Sequence, residues 1–160
     1  MQEIYRLGFP YSGPLFQACF SVRNTEEGIK IICPRDVDFT KEEVQRLVRN
    51  AIIRAMKKVA GEYLPPLLDA LAEHYGLSYK RVKITGSKGR WGSCSAAGSI
   101  NLSCYLMLLP SHLMDYVLLH ELSHTKEMNH GPRFWELLDS MTEGRAHLLR
   151  AELRQFNTDF

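Results

Sequence analysis

The segment 118–135, LLHELSHTKEMNHGPRFW, limits what this chain can become more than any other. Leu113, Met114, Val117, Leu118, Leu119 and Leu122 cover nearly the whole circumference of a helix, so that helix must be largely buried. His120, Glu121 and His124 share its turns. Burying such polar groups costs roughly 2–7 kcal/mol each unless something pairs with them. A hydrogen-bonded core pair of histidines would satisfy this, and so would a cation.

The spacing favours the cation. His120 and His124 are four residues apart, so on a helix they project from one face, a turn apart. That spacing lets two imidazoles reach one Zn²⁺ at about 2.0–2.1 Å. Glu121 points too far round the helix to be an easy co-ligand, yet close enough to act as a base on water held there. This is the HExxH arrangement. A catalytic zinc takes three protein ligands and keeps one position open. His130 lies six residues beyond His124, past the expected helix end, where Asn129 and Gly131 can turn the chain back. The expected metal ligands are therefore His120, His124 and His130, with Glu121 catalytic. Glu143, Glu136 and Cys94 are alternative third ligands. Glu143 follows His124 by 19 residues, close to the separation used by thermolysin-like enzymes, and peptide deformylases combine an HExxH helix with an upstream cysteine.

At 160 residues the chain reads as one domain, 1–160, long enough to bury a core. Within it, 1–78 holds N-terminal strands and helices, 79–142 the metal-binding core and 143–160 a terminal helix. QACFSV and GIKIICP read as a hairpin joined by RNTEEG. Thr40 with Glu43 forms a capping box for a helix that stops near Gly61, and a second helix starts with the prolines of PPLLDALAEHYG and ends at Gly76. SYKRVKITGS and INLSCYLMLL read as strands on either side of a Gly/Ser-rich loop. A helix opens at Ser111 and runs to about 126, another starts at Pro132, and RAHLLRAELRQF is the last. The fold class is α+β, a small, mainly antiparallel sheet with packed helices.

Composition excludes more than it selects. A net charge of +2 points to neither nucleic acid nor a membrane surface. The longest apolar stretch, 105–122, is interrupted by Pro110, His112 and Asp115, so no membrane span is expected. The first residues lack the pattern of a secretory signal, and the four cysteines form no CxxC pair, which implies reduced thiols and a cytoplasmic protein. Nothing in the pattern sets the oligomeric state.

Taken in order, RWGSCS, DYVLLHELSH and NHGPRFW resemble the YgjP-like metallopeptidase family, which is distantly related to SprT-like proteases. The likeness runs from about Lys83 to Leu138, and more loosely over the N-terminal part. It implies a minimal zincin-like fold, zinc held by His120, His124 and His130, a catalytic Glu121, and peptide or protein substrates. It also implies that SINLSCYL is the sheet edge beside the cleft, which makes Ile100, Asn101 and Leu102 substrate-binding by strand addition. The His spacing matches metzincins too, but Glu127 stands where those have glycine. Two rivals come from other classes. Lys80, Arg81, Lys83, Lys88 and Arg90, near Tyr79 and Trp91, could hold nucleic-acid phosphates, the less favoured partner. Alternatively, zinc could merely staple the fold. Trp135 reads as core packing, Trp91 as a lid or plug, Cys94 as a small buried residue, and Arg90 as a solvated loop residue with an oxyanion role as its rival.

Overall fold

The computed structural model describes residues 21–25, 28–32 and 37–156. The chain gathers into two compact units, 1–55 and 56–160. In the first, β1 (Ser21–Thr25) pairs antiparallel with β2 (Gly28–Ile32), and the register closes at Thr25↔Gly28. The expected hairpin is present, with Arg23–Thr25 part of the strand rather than of the turn. Residues 17–20 and 33–34, also expected in those strands, lie outside the described residues.

Helix α1 runs unbroken over Glu42–His74. The capping box expected at its start is replaced by an aspartate turn. The Thr40 hydroxyl donates to Asp38 Oδ1 at 2.6 Å, and the Thr40 N–H donates to the same oxygen at 3.0 Å. Two helices were expected where there is one, because Gly61, Pro65 and Pro66 all lie inside it. An interior proline costs about 3 kcal/mol or more by removing a donor and crowding the carbonyl four residues back. Here Leu64 and Leu68 are fully buried, which offsets about 2 kcal/mol apiece. Tertiary burial thus overrides local propensity. The far end stops as expected at Gly76, whose φ is +63°. Gly76 N–H donates to Glu73 O at 3.2 Å and Leu77 N–H to Ala72 O at 2.8 Å, the paired bonds of a Schellman cap.

The second unit holds a three-stranded mixed sheet of order β3 (Arg81–Thr85), β5 (Ser99–Ser103), β4 (Gly92–Cys94). β3 runs parallel to β5 and β4 antiparallel to it, so this sheet is mixed and the architecture is the expected α+β. The register puts Val82, Ile84, Ile100, Leu102, Gly92 and Cys94 on one face and Arg81, Lys83, Thr85, Asn101 and Ser93 on the other. The apolar run after β5 does not extend the strand. Ser103 Oγ accepts from the Tyr105 N–H at 3.3 Å and donates to the Ser87 carbonyl at 2.7 Å, which turns Cys104–Leu108 into a 3₁₀ helix.

α2 (Ser111–Ser123) is buried around nearly its whole girth, as its composition requires. α3 (Pro132–Met141) starts at its proline and buries Phe134, Leu138 and Met141. α4 (Ala146–Leu153) follows a tight turn at Glu143 and Gly144, both with positive φ. Among the described residues no helix is long and apolar enough to cross a membrane.

A Cβ at position 76 would meet nothing within 4 Å, so Gly76→Ala isolates the cost of the left-handed backbone. The variant is expected to lose about 1–2 kcal/mol of stability in chemical denaturation, without loss of structure.

Candidate metal centre and active site

α2 ends at Ser123, short of the expected 126, so His120 lies in its last turn and His124 is its C-cap; their rings are still only 5.0 Å apart, and the loop into α3 returns His130 to them. One ligand atom from each of the three lies within 4.8 Å of the others. His120 Nε2 and His130 Nε2 are 3.1 Å apart, near the roughly 3.3 Å edge of a tetrahedral zinc site with bonds of about 2.05 Å. His124 Nδ1 sits 3.1 Å from the Glu127 carbonyl. A carbonyl only accepts, so Nδ1 carries the proton and Nε2 keeps its lone pair for a metal. The Phe134 ring forms the floor, its centroid 4.9, 4.6 and 4.7 Å from those of His120, His124 and His130.

Electrostatics favour the ligand form. Burial, then the neighbouring charges of His124, His130 and Arg150, push His120 down to about 3, so its imidazole is neutral at ordinary pH. Burial, followed by His124 and Arg150, also lowers His130. Glu121 is only 5% exposed, and its Oε2 is buried with no hydrogen-bond partner. Burial raises its carboxyl to about 7, against a smaller pull downward from Arg90. Three converging imidazoles beside an unsatisfied carboxyl fit a divalent cation, whose charge would stabilise the carboxylate.

The glutamate is walled in by β4. A Cβ on Gly92 would stand 2.7 Å from Glu121 Cγ and Oε1, and 2.9 Å from its Cδ. Real Cβ contacts do not come that close, so only glycine lets this strand lie against the carboxyl. The role of Gly92 was hidden in the sequence, because a glycine in a Gly/Ser-rich loop reads first as a turn residue.

Other candidates fall away from the cluster. Glu136 and Glu143 are exposed, Glu143 facing Arg145 at 3.5 Å. Cys94 lies near enough to Glu121 to feel its charge, which adds to burial in raising the thiol, but it is not among the grouped ligands. Trp91 is half-buried, and its carbonyl accepts from the Ser103 N–H at 2.9 Å. Lys80, Arg81, Lys83, Lys88 and Arg90 are all exposed. The edge reading of Ile100, Asn101 and Leu102 is corrected. β5 is the middle strand, paired on both sides, with Ile100 and Leu102 buried in the core and Asn101 on the opposite face, its amide donating to Ser93 Oγ at 3.3 Å. Among the described residues the edge nearest the glutamate is β4.

The YgjP-like metallopeptidase domain model matches residues 4–156. The chain belongs to the YgjP-like family. It is a metallopeptidase of α+β architecture, and peptides or proteins are its substrate class. The metallopeptidase zymogen abylysin of Pyrococcus abyssi, a solved structure, is similar at 25% identity and a TM-score of 0.51, over 57% of this chain and 91% of that one. No curated protein matches in sequence.

Two outcomes follow for this YgjP-like site. Gly92→Ala should cost about 1–3 kcal/mol by overpacking, and only a fraction of that in a Glu121→Ala background, as a thermodynamic cycle would measure. In metal-free protein, Glu121 holds its proton up to about pH 7 when folded, against 4.5 for an ordinary glutamate in water. Wild-type stability relative to Glu121→Gln is therefore flat below pH 4.5 and falls as pH rises through about 7, and denaturation at several pH values would read this.

Proposed function

We propose that this chain hydrolyses peptide bonds as a zinc peptidase, with His120, His124 and His130 as ligands and Glu121 as general base. The observation that carries the proposal is the buried, partnerless Oε2 of Glu121 next to three converging imidazoles. When bound there, zinc would supply Lewis acidity toward a carbonyl and lower the pKa of water. Glu121 takes a proton at its carboxylate and returns it to the leaving amine. Gly92 keeps the carboxyl in a dry slot, so its basicity is raised above that of an exposed glutamate. An extended substrate would lie along the edge of β4 that no described strand covers, where backbone groups of Gly92–Cys94 supply affinity beside Glu121.

Zinc content by elemental analysis and hydrolysis of a peptide library test this together. Wild type should hold about one zinc per chain, as a single tetrahedral site requires, and His130→Ala clearly less. Glu121→Gln should keep the metal and lose at least about 10²-fold in cleavage. A Glu121→Gln variant that cleaves at the wild-type rate would reject the mechanism. A wild type that binds zinc but cleaves nothing would favour the metal as a staple.

A further inference from the structure

His120 lies in α2 and His124 at its C-cap, tied to the Glu127 carbonyl, but His130 is an exposed residue in a loop and needs another support. α3 supplies it with two adjacent residues. Phe134 meets the His130 ring from below. Trp135 takes the backbone instead, its indole N–H donating to the His130 carbonyl at 3.2 Å. An indole has one N–H, so the direction of that bond is fixed only if the ring is fixed. α4 fixes it. His147 stacks on Trp135 with centroids 4.2 Å apart and planes 24° from parallel, and the Arg150 guanidinium carbon lies 5.2 Å from the ring centroid. His147 and Arg150 are three residues apart, so both project from one side of α4. That helix is itself anchored by buried Ala146 and Leu149 and by the Ala146 N–H, which donates to Asp139 Oδ1 at 3.0 Å.

We propose that Trp135, braced by His147 and Arg150 of α4, is the positioning residue that keeps His130 in reach of the metal. The inference rests on the three-histidine reading above. It assigns the terminal helix a part in metal retention and gives Trp135 more than a packing role.

The test is zinc affinity by competition with a chromophoric chelator, on purified wild type, Trp135→Phe, His147→Ala and Leu148→Ala. Trp135→Phe keeps an aromatic ring and loses the donor. It should bind zinc about tenfold or more weakly, as lost outer-shell partners do. His147→Ala should weaken binding in the same direction, and Leu148→Ala, exposed on α4, should not. In a His130→Ala background, Trp135→Phe should cause no further loss, an outcome that general destabilisation would not give. Equal affinity for wild type and folded Trp135→Phe overturns the inference alone. If Trp135→Phe does not fold, unchanged affinity in His147→Ala overturns it. A wild type that binds no zinc overturns the metal reading and this inference with it.

Discussion

The approach of the Gly92 backbone to the Glu121 carboxyl is the constraint on which the rest of the active region depends. It needs a strand with no side chain at one position, a helix buried around nearly its whole girth, and a sheet whose middle strand holds β4 in place. Each of these is costly alone. Together they remove a carboxyl from water without giving it a hydrogen-bond partner. In a low-dielectric setting such a group favours its neutral form until a positive charge arrives. The site therefore couples two events, since a cation that occupies the histidines also makes the glutamate a better carboxylate.

The imidazoles are prepared in a complementary way. Desolvation, and after it the neighbouring charges, disfavours the charged form of His120 and His130. Metal and protons compete for the same lone pairs, so imidazoles that shed protons are ones a metal can enter with little rearrangement. Arg150 belongs to this balance, because its charge depresses His120 and His130 while its guanidinium lies near Trp135.

The buried helix that bears His120 was legible in the sequence, though it ends three residues early, because its signals are local: an apolar girth, a turn at Asn129–Gly131 and a proline at the next helix start. Gly76 was legible for the same reason. Sheet order was not. β4 is three residues long in a run of glycine and serine, with no alternation to betray it, and its pairing with β5 makes an apolar strand central that otherwise looks like an edge. Pro65 and Pro66 misled in the other direction, since a local breaker says nothing of the leucines that bury the helix around it. The three family blocks narrowed the function beyond what spacing alone could do, and the match over residues 4–156 covers the parts that local pattern left open.

His120 sits in the last turn of a buried helix and His124 at its C-cap, whereas His130 belongs to an exposed connection. The three imidazoles thus differ in the motion that would part them. Moving His120 requires unwinding the buried last turn of α2, whereas His130 moves with its loop once the Trp135 indole lets go of its carbonyl. A metal held by all three would therefore leave first from His130, by local opening rather than by global unfolding. Such a site could empty and refill while the rest of the fold stays intact.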